Sequence, residues 1–198
     1  MTNPYGDVEL GTQGMRALAH PVRLAILIQL QNHGPKTATA LAPAVGASPS
    51  VTSWHLRHLA KHGLVRDSDV GTSGRERWWE AASRGFRFTA EDEAGREAQR
   101  LLSAVLEEVE GDLPGQWTAD VEPRLEPQWR SAAGRSNTRV LVTLEELAEL
   151  ESAIEALLAP YVLRKDAGTD TIPAQARGVR LLRYVLPELP EPTGDASS

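Results

Sequence analysis

The stretch from Ser48 to Val65, Ser-Pro-Ser-Val-Thr-Ser-Trp-His-Leu-Arg-His-Leu-Ala-Lys-His-Gly-Leu-Val, constrains the fold more than any other part of the chain. Ser48 suits an N-cap, because its hydroxyl can accept a bond from an orphan backbone N–H, and Pro49 suits the first helical position. His62 falls in the last turn, and Gly63 can take the left-handed conformation that ends a helix. At roughly 100° per residue, Val51, His55, Leu56 and Leu59 share one side, and Ser50, Ser53, Trp54, Arg57 and Lys61 share the other. An apolar stripe anchors such a helix to its own protein. The outer cations can meet phosphates, and the short polar side chains can reach base edges. An ordinary amphipathic surface helix carries the same stripe, so the flanking segments decide between the two.

Upstream, Leu10 to Ala19 suits a short helix with Met15, Leu18 and Ala19 inward. Pro21 starts a strongly apolar helix through Leu30, with Leu24, Leu27, Ile28 and Leu30 facing inward, and Asn32-His33-Gly34-Pro35 stops it. Thr37 to Gly46 then gives a short helix with Leu41 and Val45 inward, distorted by Pro43. Two short helices joined by a glycine turn, the second with a polar outer row, form a helix-turn-helix pattern. Downstream the period changes from helical to extended. Leu64-Val65-Arg66 and Arg75-Glu76-Arg77-Trp78-Trp79-Glu80-Ala81 read as two strands of a hairpin with a glycine-containing tip. Such a wing can lay Arg75 or Arg77 on a phosphate backbone or in a minor groove, or leave them in solvent.

Three segments in this order resemble the winged helix-turn-helix repressors of the ArsR type. They are Ala19-His20-Pro21-Val22-Arg23-Leu24-Ala25-Ile26-Leu27, then Ser53-Trp54-His55-Leu56-Arg57-His58-Leu59 with Gly63-Leu64-Val65, then Gly74-Arg75-Glu76-Arg77 with Trp78. The resemblance covers about residues 10–88 and implies a dimer that binds a near-palindromic site and is released by a signal. The metal-sensing members carry cysteines on the helix before the recognition helix. Here that helix reads Leu41-Ala42-Pro43-Ala44-Val45, and the chain has no cysteine. His58 and His62 stand one turn apart but have no carboxylate partner on their flank. Neither a metal nor any cofactor is expected.

Charge is distributed unevenly. Residues 1–88 hold 10 Lys+Arg against 6 Asp+Glu, a net of +4, and all 5 histidines. Residues 89–198 hold 11 against 21, a net of −10, so the whole chain carries −6. The basic part contains the recognition helix, and the acidic part should face away from phosphates. No basic, apolar leader and no run of roughly twenty apolar residues occurs, so a cytoplasmic protein without a membrane partner is expected.

After the wing, Thr89-Ala90-Glu91-Asp92 opens a helix on which Ala94, Ala98, Leu101, Leu102, Val105, Leu106 and Val109 recur at helical spacing. That stripe is either a dimer seam or a lid on its own domain, and the seam suits a reader of two half-sites. Residues 111–137 read as an irregular connector anchored by Trp117 and Trp129. Strands are expected at 138–142 and 178–186. Between them Thr143-Leu144-Glu145-Glu146 carries a capping-box signature, and its helix has Leu147, Leu150, Ile154, Leu157, Leu158 and Tyr161 on one face. Pro187 onward reads as a tail.

The expected fold is mainly α with a small β part (α+β). It comprises a winged helix-turn-helix domain at 10–88, a helix and connector for dimerisation at 89–137, and a small α+β unit at 138–190. The expected function is sequence-specific binding of double-stranded DNA by a homodimeric transcriptional regulator, a repressor released by a non-metal signal, with a small-molecule effector as a possible partner. The DNA-contacting residues are Lys36, Thr37, Ser50, Thr52, Ser53, Trp54, Arg57, Lys61, Arg75 and Arg77. No glycine-rich phosphate loop, nucleophile elbow or His-Glu zinc pattern points to an enzyme. The alternative is a small-molecule binding module in the C-terminal half, with Trp117, Trp129 and the 89–110 helix lining a pocket and the helix-turn-helix as adaptor.

Overall fold

The computed structural model describes residues 6–70, 76–162 and 172–189, and its contacts divide the chain into two units, residues 1–162 and 163–198. In the first unit α1 (Thr12–Leu18), α2 (Pro21–His33), α4 (Pro49–Lys61) and α5 (Glu93–Glu110) enclose one core. Met15, Leu18, Leu27, Leu56, Leu59 and Leu102 meet there and are almost fully buried. Removing a leucine side chain of this kind from water contributes about 1.5–3 kcal/mol. The fold is mainly helical with a small sheet, an α+β winged helix-turn-helix arrangement.

Between α2 and α4 the chain tightens. Thr37 caps α3 (Ala38–Leu41) by accepting from the Ala40 N–H at 3.2 Å. The helix then winds into a 3-10 turn at Ala42–Val45, and Gly46 ends it at φ +64°. Pro43 is the local cause: it has no N–H to donate, and its ring clashes with the carbonyl a turn earlier. This is the distortion expected of that segment.

The wing is a three-stranded antiparallel sheet in the order β2 (Lys36–Thr37), β4 (Trp78–Ala81), β3 (Val65–Asp67). Trp79 pairs in register with Lys36 on one side and Asp67 on the other, and its ring is buried. The first strand runs Val65–Asp67 rather than from Leu64, and the return strand starts at Trp78 and ends at Ala81 as expected. Arg75 and the glycines of the tip lie outside the described residues.

Several expectations change. Leu10 belongs to a strand rather than to the first helix: β1 (Val8–Leu10) pairs in parallel with β5 (Phe86–Phe88). On α2 it is Ile26 that is buried, while Ile28 is half-buried. Asp92 is the N-cap of α5, accepting from the Gly95 N–H at 2.7 Å. Ala94 is exposed, and Gly95 takes the inner position beside Ala98 and Leu102. That inner face packs on α1 and α2, so the middle of the stripe is a lid on its own domain. Leu101 remains half exposed.

Residues 111–137 are not irregular throughout. They form α6 (Leu113–Asp120), a 3-10 turn at Glu122–Arg124 and α7 (Pro127–Ala132). The prolines sit in the first turns of these pieces, where a missing N–H costs nothing, so they open helices rather than break them. The capping box forms as expected. Thr143 N–H donates to Glu146 Oε2 at 2.7 Å and Glu146 N–H donates to Thr143 Oγ1 at 3.2 Å, opening α8 (Leu144–Val162). Arg87 links Asp7 to Glu155 of α8, and Arg84 donates to the Val162 carbonyl at 2.8 Å.

The two segments expected to pair as strands, 138–142 and 178–186, belong to no ladder. An extended segment needs a neighbour for its N–H and C=O groups. Their apolar side chains, Leu141 and Tyr184 among them, stay exposed in the single chain. The expected tail is described only as far as Leu189. Among the described residues no helix is long and apolar enough to cross a membrane.

Candidate nucleic-acid interface

α4 starts where the sequence places it. The Ser48 hydroxyl accepts from the Val51 N–H at 3.3 Å, Pro49 occupies the first turn, and Gly63 follows the end at φ +69°. The buried face is Thr52, His55, Leu56 and Leu59. Two positions are exchanged relative to expectation. Thr52, assigned to DNA, has no exposed surface, and its hydroxyl donates to the Ser48 carbonyl at 2.9 Å. Val51, assigned to the core, is 44% exposed. Valine and threonine have nearly the same shape, so hydropathy alone misplaced the stripe by one residue. The helical spacing 52, 55, 56, 59 places Thr52 inside, and its hydroxyl is satisfied locally at low cost. Thr52 is therefore removed from the candidate contacts.

The outer row reaches the surface. Ser50, Trp54, Arg57 and Lys61 are exposed, Trp54 at 56%, and Ser53 is half-buried. Arg57 donates to the Ser53 hydroxyl one turn earlier, at 3.3 Å. On the wing side this row borders a cleft of about 360 Å³, lined by Thr37, Ala38, Thr39, Pro49, Ser50, Ser53, Arg57, Glu76, Arg77 and Trp79. Five expected contact residues thus meet around one concavity: Thr37, Ser50, Ser53, Arg57 and Arg77. Trp54, Lys61 and Lys36 do not line it.

Not all five are equally available. Thr37 is 6% exposed and its oxygen is occupied by the cap of α3, so that helix start does not offer its side chain to a phosphate. Arg77 is held in a bidentate pair with Asp67, one bond being 2.6 Å, and its guanidinium stacks over Trp79 at 4.1 Å. The hydrogen bonds from Arg77 hold the Asp67 carboxyl below the usual carboxylate range. Glu76 accepts a bond from Thr39 at 3.2 Å, so the cleft also contains an anion. Arg66 pairs with Glu80 at 2.7 Å on the same hairpin.

The opposite flank of α4 was not legible in the sequence. His55 and His20, the N-cap of α2, bring their rings to 4.7 Å. His58 and His62 lie 4.9 Å apart, and Trp54 bridges the two pairs, edge-on to His55 at 4.9 Å and stacked on His58 at 5.8 Å. Burial, then the charge of Arg23, push His20 down from its ordinary pKa. Burial pushes His55 and His58 down too, with Arg23 and neighbouring histidines adding to it. The spacing of His55, His58 and His62 is visible in the sequence, but only tertiary packing brings His20 and Arg23 beside them. Among the described residues no group of three or more His, Cys, Asp or Glu side chains is gathered as a metal ion would need.

Residues 18–67 match the model of a helix-turn-helix domain. The match runs from the end of α1 through β3, and so contains α2, α3 and the recognition helix α4. The helix-turn-helix domain thus includes the outer row and the histidine flank, while Glu76 and Arg77 of the wing follow it. No curated protein matches the chain. Among solved structures, RV1404 from Mycobacterium tuberculosis is 20% identical, over 60% of this chain and 73% of that one, with a TM-score of 0.31. The transcriptional regulator Tm0710 from Thermotoga maritima is 16% identical, over 70% of this chain and 77% of that one, with a TM-score of 0.29. These TM-scores stop short of a shared overall fold.

Proposed function

We propose that the protein is a sequence-specific, double-stranded-DNA-binding transcriptional regulator that uses α4 as its recognition helix. The observation that carries this reading is the unpacked outer row of Ser50, Trp54, Arg57 and Lys61, anchored from below by Leu56 and Leu59 and bordered by the wing cleft. A rigid helix with cations and a large exposed indole has the dimensions and chemistry to enter a major groove. In the finer reading it is a homodimeric repressor of the ArsR kind without a metal sensor, occluding a near-palindromic site and released by a non-metal signal. Support for that refinement comes from the three-segment resemblance and from the apolar surface that the chain leaves exposed on α5 and beyond residue 137. The domains would be 10–88 for DNA, 89–137 for dimerisation and 138–190 for a unit completed by assembly.

A small-molecule module is less well supported. The concavity on α5 is lined by Ala90, Arg96, Gln99, Arg100, Ser103, Ala104 and Glu107, a mostly polar set without Trp117 or Trp129.

The test is a mobility-shift titration against a selected site and a scrambled duplex. Arg57→Ala is expected to weaken the selected complex by about 1–3 kcal/mol if Arg57 reads a base. Equal weakening on both duplexes assigns Arg57 to phosphate. No complex with any duplex at low salt overturns the reading.

A further inference from the structure

The wing side of α4 mixes cations with carboxylates. The side facing α2 does not. There the rings of His20, His55, Trp54, His58 and His62 form a chain of contacts of 4.7–5.8 Å, and the charges of Arg23 and Lys61 act on His58. The buried Nδ1 atoms of His20 and His55 and the buried Nε of Arg23 have no hydrogen-bond partner. His55 is 5% exposed, whereas His58 and His62 are half-buried and reach the surface beside the exposed Trp54 and Lys61.

Among the described residues, the other elements packed on α4 bring no free anion to this side. α3 and the 3-10 turn carry no titratable side chain. Arg16 of α1 is paired with Glu97, and Arg66 and Asp67 of β3 are paired with Glu80 and Arg77. Two fixed cations beside crowded imidazoles, with no carboxylate facing them among the described residues, attract an anion.

We propose that this flank is a phosphate-binding site, with His58, His62 and Lys61 as the contacting groups and Arg23 as the fixed charge beneath them. The identification of its occupant as a backbone phosphate of duplex DNA rests on the proposed function, since the flank adjoins the outer row of the recognition helix.

Binding has a consequence in protons. Without an anion the imidazolium forms of His20, His55 and His58 are disfavoured, by burial first and by the charge of Arg23 with it. A bound phosphate reverses that electrostatic balance. The C-terminal dipole of α4 and the face of Trp54 also favour a charged His58. The complex therefore takes up a proton from solvent that the free protein does not hold, and its affinity rises as pH falls.

The experiment uses the full chain and a fluorescein-labelled mixed-sequence duplex at fixed, low ionic strength, with binding read by anisotropy between about pH 8 and pH 6. For one proton taken up, affinity should rise about three- to tenfold per pH unit. H33Q, outside the cluster, should keep that slope, and H58Q/H62Q should lose it. Histidine ring NMR signals of the wild type, recorded with the duplex and separately with inorganic phosphate, give a readout independent of the variants. The His58 signals should move towards the protonated form on adding the duplex.

Duplex binding with a flat pH profile and unmoved histidine signals overturns the inference and leaves the proposed function standing. Absence of duplex binding, with His58 and His62 responding to inorganic phosphate, overturns the proposed function and leaves a phosphate site filled from another source. Silence in both arms overturns both.

Discussion

Along the wing side of α4 the charges come in pairs: Arg77 with Asp67, Arg66 with Glu80, and Glu76 bonded to Thr39. Along the α2 side four histidines, Arg23 and Lys61 share a surface without an acidic partner among the groups that face them. Both flanks border the same outer row of Ser50, Trp54, Arg57 and Lys61. The difference shows that counting cations near a recognition helix is a poor guide to where a phosphate goes. An arginine already held by a carboxylate must give up that bond before it gains another, and an exposed pair of this kind contributes little on its own. On the α2 side Arg23 and Lys61 carry no ion pair among the described residues, so an arriving anion displaces none.

Breaking the comparison at its root gives the largest effect. Leu56 is fully buried between the two flanks, in the core shared by α1, α2 and α4. Leu56→Ala is expected to lower unfolding free energy by about 2–5 kcal/mol, measured by urea denaturation. It should weaken binding on both flanks together, because it moves the helix that carries them. A loss under about 1 kcal/mol would mean that α4 is not anchored as described.

A smaller effect tests which face is which. Thr52 is buried, and the Ser48 carbonyl that accepts its hydroxyl also accepts the Thr52 N–H at 2.8 Å. Thr52→Val keeps the shape and leaves that carbonyl with a donor, so the cost should be at most about 1 kcal/mol of stability. Duplex affinity should not change. Reduced affinity at unchanged stability would return Thr52 to the set of contact residues.

The parts of the fold legible in the sequence are those where one local signal decides. Ser48, Pro49 and Gly63 fix the ends of α4 by capping chemistry, and Thr143 with Glu146 fixes the start of α8. Pro43 announces the distortion after α3. The misreadings have two causes. Thr52 and Val51 were exchanged because a hydroxyl that bonds backward to its own helix is invisible to hydropathy. Residues 111–137 read as a connector because they are rich in glycine and proline, although Pro114, Pro123 and Pro127 each stand in a first turn. Of the candidate site, the outer row of α4 was legible, but the partners of its flanks were not. Asp67 meets Arg77 across a hairpin, and His20 meets His55 across two helices. No spacing rule links those pairs. The strands expected at 138–142 and 178–186 have strand-forming side chains, but strand formation also depends on a partner, and neither segment has one among the described residues.

The smallest effect addresses the paired flank directly. Asp67→Asn removes the carboxylate that holds Arg77 while keeping a side chain of the same size. If the wing lies along the backbone, Arg77 then turns to a phosphate without first leaving an anion, and one negative charge is gone from its neighbourhood. Duplex affinity at low salt should rise about two- to fivefold, the scale of a single exposed ion pair. The dependence on salt should steepen, because one more cation displaces counterions. Arg77→Ala should lower affinity by no more than the same factor, since Arg77 starts from a bond with Asp67. The histidine flank offers no equivalent substitution, having no facing carboxylate to remove. A gain from Asp67→Asn that matches or exceeds the effect of H58Q/H62Q would make the wing the main phosphate contact and reverse the ranking of the two sides. No change in either affinity or salt slope would place the Asp67–Arg77 pair away from the duplex, leaving the outer row and the α2 side to account for binding.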